Sequence, residues 1–144
     1  MQVQVLRQVW GRPDSGEALA LGMKRHGRVW LREVQLLCDD QSWVYARTVI
    51  PATTLAGPAR CLLRLGNRPL GAVLFADPTV VRGGVEIACL RSRHRLYRRA
   101  SLSLTTKPTI LWGRRSLFWM GGRPLLVAEV FLPAPDGPAG NLCP

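Results

Sequence analysis

Two oppositely charged residues interrupt apolar stretches of this chain and are the first candidates for chemistry. Glu129 is the only charged residue in LLVAEVFL, residues 125–132, and Arg32 lies in VWLREVQLL, residues 29–37. Side chains alternate between the two faces of a strand, so each of these charges would share its face with apolar neighbours alone. Charged side chains are seldom fully buried without a partner, and we therefore expect Glu129 and Arg32 each to have one.

Two interpretations of this pair remain open. Arg32 and Glu129 could form a buried salt bridge with each other, although such a pair often stabilises a protein no more than apolar residues of similar volume. Alternatively, the two could line a small apolar pocket, in which Arg32 binds a carboxylate in bidentate fashion and Glu129 meets a hydroxyl. The second interpretation implies a flat or ring-shaped ligand with an anionic end and a hydroxylated end.

Three further arginines are predicted to have structural or surface roles. Arg47, in WVYARTVI, is expected either to lie beside the site or to extend its head group to water at the edge of the sheet. Arg114 and Arg115 fall on opposite faces of one strand, so at least one of them is expected to be solvated. Glu86, in GVEIA, is expected to pair with one of these two arginines.

The cysteines and histidines do not form a metal-binding pattern. The four cysteines are widely scattered without a CxxC spacing, and only His26 and His94 could join them as ligands. Structural zinc sites require closely spaced ligand pairs, so we expect no bound metal. Both histidines are expected at the surface rather than in the role of a base.

The elements that would position these residues are mostly strands. Apolar, β-branched and aromatic runs predict strands at about residues 3–10, 28–38, 43–50, 79–88, 109–120 and 123–133. The turn sequence DDQS joins the second strand to the third, and Gly121-Gly122 is a two-residue hairpin turn between the last two. The pair Gly83-Gly84 predicts a bulge within the fourth strand.

Helices are predicted in fewer places. Leucine spacing predicts a helix within residues 53–66, and NRPLGAVLF, residues 67–75, predicts a turn with a short helix. The segment GRPDSGEA, residues 11–18, is expected to be a turn. Consecutive hairpins with one or two helices indicate an α+β fold with a single antiparallel β-sheet.

Length and composition favour one globular domain. The chain has 144 residues, of which 47% are hydrophobic and 20% charged. It contains no apolar run of about 18 residues and no apolar signal segment at its start, so we expect a cytoplasmic protein. Residues 1–134 are assigned to the domain, and the Pro- and Gly-rich residues 135–144 to a frayed tail.

The net charge of +11 is concentrated in one segment. RSRHRLYRR, residues 91–99, holds five arginines and no acidic residue. Such a surface attracts anions. The sequence lacks a recognition-helix pattern, a zinc finger and an RNP-like strand, so we expect no sequence-specific nucleic-acid binding.

Six sequence blocks together resemble the chorismate lyase (chorismate pyruvate-lyase) family of the ubiquinone pathway. They span roughly residues 28–134 in the order of the family: VWLREVQLL, ARTVIPATTLAGP, LGNRPLGAVLF, VEIA, LWGRRS and GGRPLLVAEVFLPA. The resemblance implies one antiparallel sheet with helices packed on it and an enclosed ligand. It also implies the cofactor-free conversion of chorismate to 4-hydroxybenzoate and pyruvate, which we expect of a monomer.

The resemblance assigns site roles to three residues of this chain. Arg32 corresponds to the arginine that binds the carboxylate of the ligand, and the backbone of Leu70 corresponds to a second contact with that carboxylate. Glu129 corresponds to the glutamate near the ligand hydroxyl. Arg32 and Glu129 are therefore expected to be catalytic, and all three to bind substrate and product.

Two departures from the family pattern leave alternatives open. Family members usually begin with an additional region whose helix contributes a methionine to the site, and the present sequence begins near the strand that follows that helix. A basic insertion at about residues 89–109, expected to be without regular structure, replaces a short connection. The alternatives are a truncated, inactive relative that binds 4-hydroxybenzoate-like acids, or a basic protein that binds nucleic acid or an anionic membrane surface.

Overall fold

A six-stranded antiparallel sheet forms the centre of the molecule, with strand order β1-β2-β3-β6-β5-β4. The computed structural model describes residues 1–133, and the predicted tail at 135–144 lies outside this range. The strands are β1 (Gln2–Gly11), β2 (Val29–Cys38), β3 (Gln41–Pro51), β4 (Val81–Leu90), β5 (Leu111–Met120) and β6 (Arg123–Phe131). The helices are α1 (Ser15–Leu21), α2 (Ala52–Leu55), α3 (Leu70–Ala76) and α4 (Arg95–Ala100), with 3-10 turns at Pro58–Arg64 and Ser101–Ser103. The predicted α+β class with one antiparallel sheet is confirmed.

Both predicted hairpin turns are present, and each has left-handed backbone values at its two central residues. The φ values are 52° and 63° at Asp39 and Asp40, and 57° and 76° at Gly121 and Gly122. Two residues with positive φ give the turn whose twist matches that of the flanking strands. At Gly121 a side chain would also collide with the ring of Pro58, which lies 2.9 Å from the position of a Cβ atom. These turns set the registers of β2 on β3 and of β5 on β6.

The segment predicted as a turn at residues 11–18 contains the beginning of a helix instead. Helix α1 starts at Ser15, and the side chain of Asp14 accepts a hydrogen bond from the backbone N–H of Glu17 at 2.9 Å. The Glu17 carboxylate in turn accepts one from the backbone N–H of Asp14 at 3.0 Å. This reciprocal capping box stabilises a first turn that the Gly, Pro and Ser content alone did not predict.

The basic insertion is also ordered, contrary to the expectation for residues 89–109. Helix α4 lies within it, and Tyr97 and Ala100 on this helix are buried against Leu111 and Val130 of β5 and β6. One apolar side chain per helical turn is enough to attach the segment to the sheet, while most of its arginines remain exposed. No helix in the described part of the chain is long and apolar enough to cross a membrane.

The two faces of the sheet are covered by different elements. Leu31, Val49 and Leu126 are buried on the face that packs against Leu21 of α1. The opposite face packs against α2, the first 3-10 turn and α3, where Leu74 is buried. Successive residues of a strand therefore contribute to different surroundings, and Arg32 lies on the α3 face while Glu33 lies on the α1 face.

Arg47 is buried on the α1 face, whereas Arg32 lies on the α3 face. The predicted extension of Arg47 to water at the sheet edge is therefore wrong, and so is its predicted place beside the site. Its exposed fraction is 2%, and its Nε donates to Glu17 at 2.7 Å while its Nη2 donates to the other oxygen at 3.0 Å. Glu33 lies 3.7 Å from the same guanidinium and accepts a hydrogen bond from the hydroxyl of Tyr45. Burial and the hydrogen bond to Glu33 raise the pKa of Tyr45 above its ordinary value. Each charge in this cluster has a partner of opposite sign.

Replacing Arg47 with Ala is expected to lower the free energy of unfolding by about 3–5 kcal/mol, because Glu17 would be left as a buried carboxylate without its cation. Urea unfolding followed by tryptophan fluorescence measures this loss. The matched control is Arg115→Ala, which breaks a solvent-exposed pair with Glu86 at 3.1 Å. That substitution is expected to cost at most about 1 kcal/mol, and equal losses in the two variants would contradict the structural role given to Arg47.

Candidate functional site

A cavity of about 270 Å³ lies between the sheet and α3, on the α3 face. Leu70, Leu74 and Phe75 of α3 form its roof, and its floor is formed by side chains from all six strands of the sheet. The lining is mostly apolar with a few charged groups, as is usual for sites that bind small molecules. Arg32, Leu70 and Glu129, the three residues predicted for the site, all line this cavity.

Most of the floor consists of two rows of residues. Each row crosses the sheet, and its members are register partners on neighbouring strands. The first row runs through Arg32, Thr48, Val127 and Ser116, and the second runs through Val34, Ala46, Glu129 and Arg114. Facing residues in antiparallel strands project from the same side of the sheet. By the standard spacings of a sheet, the Cα atoms of Arg32 and Glu129 lie about 12 Å apart, so their side chains approach a small ring from opposite sides.

Arg32 is a buried cation whose hydrogen-bond partners are all neutral. Its exposed fraction is 2%, and its guanidinium donates to Gln8 Oε1 at 3.0 Å, to the Gly66 carbonyl at 2.9 Å and to the Arg68 carbonyl at 3.0 Å. Within residues 1–133 no carboxylate lies within 4.0 Å of it, so the alternative of an Arg32–Glu129 salt bridge is wrong. Burial lowers the pKa of Arg32 from its ordinary value. Two of its five N–H donors have no acceptor in the described part of the protein, and an anion in the cavity would supply both charge and acceptors.

Glu129 has a charged partner, but it is Arg114 rather than Arg32. The Glu129 Oε1 atom accepts a hydrogen bond from Arg114 Nε at 3.0 Å, from the facing position on β5. The exposed fraction of the Glu129 side chain is 26%, so the expectation of purely apolar surroundings was wrong. The second carboxylate oxygen accepts no hydrogen bond from any described residue. It is therefore available to a hydroxyl in the cavity.

Leu70 contributes to the cavity from the first position of α3. Pro69 precedes it as the N-cap, and the helix has no side-chain cap. Backbone N–H groups in the first turn of a helix lack partners within that helix. The backbone of Leu70 can therefore donate to an anion, as the resemblance implies, while its apolar side chain adds to the roof.

Sequence reasoning missed Arg82, a third arginine that lines the cavity. Its guanidinium lies 5.9 Å from the ring centroid of Phe75 and 5.6 Å from that of Phe118. Arg82 immediately precedes the bulge at Gly83-Gly84, which was predicted and is seen as a register shift between Arg82 and Val85. Bulges often redirect side chains next to active sites, and that signal could have drawn attention to Arg82.

The other predicted charge positions lie away from the cavity. Glu86 pairs with Arg115 at 3.1 Å, which confirms the pairing expected for one of the two neighbouring arginines. His94 precedes α4, and its Nδ1 accepts from the backbone N–H of Arg91 at 2.9 Å. No group of three or more metal-ligating side chains occurs among residues 1–133.

A larger side chain at Ala46 tests how much free space the cavity offers at that position. Ala46→Leu is expected to change the free energy of unfolding by less than about 1 kcal/mol, because the added atoms enter the cavity without overpacking. Ala128→Leu is the control, since Ala128 lies on the next strand but is buried on the α1 face. Overpacking there is expected to cost about 1–3 kcal/mol. Similar losses for the two variants in urea unfolding would show that no cavity exists beside Ala46.

Among solved structures, two C-terminal domains illustrate the shared architecture. The C-terminal domain of PhnF matches with a TM-score of 0.69 at 16% identity, covering 90% of this chain and 80% of that one. The C-terminal domain of the histidine utilization repressor from Pseudomonas syringae pv. tomato matches with a TM-score of 0.67 at 15% identity, covering 99% of this chain and 98% of that one. At such low identity these likenesses show the fold alone.

Relatives found by sequence are far more similar to this chain in sequence than these solved structures are. The family model described as chorismate lyase matches residues 1–136. A probable chorismate pyruvate-lyase of Aromatoleum aromaticum is 46% identical over 133 residues, which are 91% of this chain and 72% of the relative. A second, from Methylococcus capsulatus, is 46% identical over 132 residues, 92% of this chain and 80% of the relative. The chain belongs to the chorismate lyase family.

Proposed function

We propose that this protein is a chorismate pyruvate-lyase, a carbon–oxygen lyase that converts chorismate to 4-hydroxybenzoate and pyruvate for ubiquinone biosynthesis. The observation that carries the proposal is Arg32, a buried cation that has no acidic partner among residues 1–133 and lines a small cavity. The family membership and the relatives at 46% identity support the same reaction.

The reaction balances without an added reactant. The bond between the ring and the ether oxygen of the enolpyruvyl group breaks, and the hydrogen on the hydroxyl-bearing ring carbon is lost as a proton. The enolpyruvyl methylene gains a proton and becomes the methyl group of pyruvate, while the ring becomes aromatic. Aromatisation supplies much of the driving force, so the protein has mainly to orient the substrate and to present fixed charges to the transition state.

Arg32 is the proposed anchor of the ring carboxylate. Three bonds to Gln8, Gly66 and Arg68 hold its guanidinium in one orientation before any ligand arrives. Two N–H donors then remain for a carboxylate, and a charge-assisted contact of this kind is stronger than one between neutral groups. The backbone N–H of Leu70 is the proposed second donor to that carboxylate.

Glu129 is the proposed partner of the ring hydroxyl at the other end of the substrate. Arg114 holds one oxygen of this carboxylate at 3.0 Å, which leaves the other to accept from the hydroxyl or to assist removal of the neighbouring ring proton. Arg32 and Glu129 together would fix which end of the ring points in which direction.

All residues of the proposed site come from one chain and, in our assignment, from one domain spanning residues 1–134. A monomer is therefore sufficient for the proposed reaction, which we place in the cytoplasm. Neither a cofactor nor a nucleic acid has a part in it.

Replacing Arg32 with Ala is expected to weaken the binding of 4-hydroxybenzoate at least about tenfold, because the carboxylate loses its cation and a bidentate contact. Isothermal titration calorimetry measures the dissociation constant. Arg115→Ala removes the same charge from the opposite face of the sheet and is expected to leave the affinity within about twofold of the wild type. Unchanged affinity in Arg32→Ala would remove Arg32 from the site.

Replacing Glu129 with Gln is expected to lower kcat/KM at least about tenfold, since an amide is a weaker acceptor and cannot take a proton. The rate is measured from the appearance of 4-hydroxybenzoate by its ultraviolet absorbance. Glu86→Gln breaks an ion pair between β4 and β5 without touching the cavity, so its rate is expected to match that of the wild type.

The decisive experiment incubates the purified protein with chorismate and quantifies both products. Equimolar 4-hydroxybenzoate and pyruvate would support the proposal. Binding of 4-hydroxybenzoate without turnover would instead support an inactive relative that retains the site.

A further inference from the structure

We propose that Arg82 binds the second carboxylate of the substrate, the one carried by the enolpyruvyl group, a contact that the aromatic product cannot make. This inference rests on the proposed function and adds to it a residue that determines specificity.

The charges of substrate and product differ by one carboxylate. Chorismate carries two, whereas 4-hydroxybenzoate carries only the one assigned to Arg32. Besides Arg32, two arginines line the cavity, namely Arg82 and Arg114. Arg114 is already paired with Glu129 at 3.0 Å, whereas Arg82 has no ion pair with any of residues 1–133. Arg82 is thus the cation whose charge is available to the second carboxylate.

Two aromatic rings hold Arg82 at the place where the roof of the cavity meets its floor. Phe75 belongs to α3 in the roof, Phe118 belongs to β5 in the floor, and their centroids lie 5.9 Å and 5.6 Å from the guanidinium carbon. Contacts of a cation with aromatic faces at such distances are attractive and restrict an otherwise mobile side chain. A guanidinium in contact with rings still directs its N–H groups sideways, where a carboxylate can accept from them.

The local backbone directs Arg82 to the cavity side of the sheet. Arg82 faces Phe118 in the register of β4 on β5, so the two side chains project from the same face. The register shift follows immediately at Gly83, where a Cβ atom would lie 2.9 Å from the ring of Trp119. A side chain at position 83 would therefore displace the Trp119 ring, and the bulge interrupts the ladder between Arg82 and Val85.

Arg32 and Arg82 lie at opposite sides of the cavity. Four strand spacings separate β2 from β4, which places the two Cα atoms about 20 Å apart. Two long side chains that extend inward from these positions leave space between their head groups for one small ring with an anionic group on either side. When the ether bond breaks, the second carboxylate leaves with pyruvate, so the product retains the contact with Arg32 and loses the contact with Arg82.

The test compares substrate and product affinity in Arg82→Gln. We expect KM for chorismate to rise at least about tenfold, and the inhibition constant of 4-hydroxybenzoate to stay within about twofold of the wild type. Arg82→Lys is expected to recover part of the loss, because the charge is kept while the planar donor pair is not. Arg115→Gln removes the same net charge outside the cavity and controls for long-range attraction of the anionic substrate.

Two outcomes would overturn the inference. Equal increases in KM and in the inhibition constant would mean that Arg82 shapes the part of the site common to substrate and product. An unchanged KM would mean that Arg82 does not meet the substrate at all. If the wild type binds chorismate without turning it over, the proposed function fails, and the dissociation constants of chorismate in the wild type and in Arg82→Gln still decide the role of Arg82.

Discussion

The buried charge of Arg32, which no carboxylate in the described part of the chain compensates, is the constraint on which the rest of the site depends. A guanidinium removed from water loses a large solvation energy, and neutral acceptors on Gln8, Gly66 and Arg68 replace only part of it. These acceptors come from β1 and from the loop before α3, so the same bonds that orient Arg32 also attach the roof of the cavity to its floor. An anionic ligand completes an arrangement that the fold leaves one charge short.

The α1 face of the same sheet shows what a completed arrangement looks like. There Arg47 lies between Glu17 and Glu33, and Tyr45 adds a hydroxyl donor, so each buried charge meets its opposite. The contrast arises from adjacent residues, since Arg32 and Glu33 differ by one position and by the face on which they lie. One face of the sheet is balanced for stability, and the other is left unbalanced in favour of a ligand.

The strands, both hairpin turns and the bulge at Gly83-Gly84 were predictable because they depend on local alternation and on turn residues. Helices α1 and α4 were not predicted, because a capping box at Asp14 and the burial of Tyr97 and Ala100 outweighed unfavourable composition. The presence of Arg32 and Glu129 at one cavity followed from strand alternation and family resemblance. The pairing of Glu129 with Arg114 did not, since it depends on which strands are neighbours, and β6 is flanked by β3 and β5. Arg82 was missed for a related reason, because the sequence does not show that Phe75 and Phe118 enclose it.

The bulge in β4 also affects how separate copies of the protein meet. Strand β4 is the last in the sheet, and Val81, Val85 and Ile87 on it are exposed. A regular, apolar strand at a sheet edge is a template onto which another chain can add. The irregularity at Gly83-Gly84 interrupts the row of free backbone groups, so an approaching strand cannot pair along its whole length. The irregularity next to Arg82 therefore also shortens the stretch of this edge along which another chain could pair.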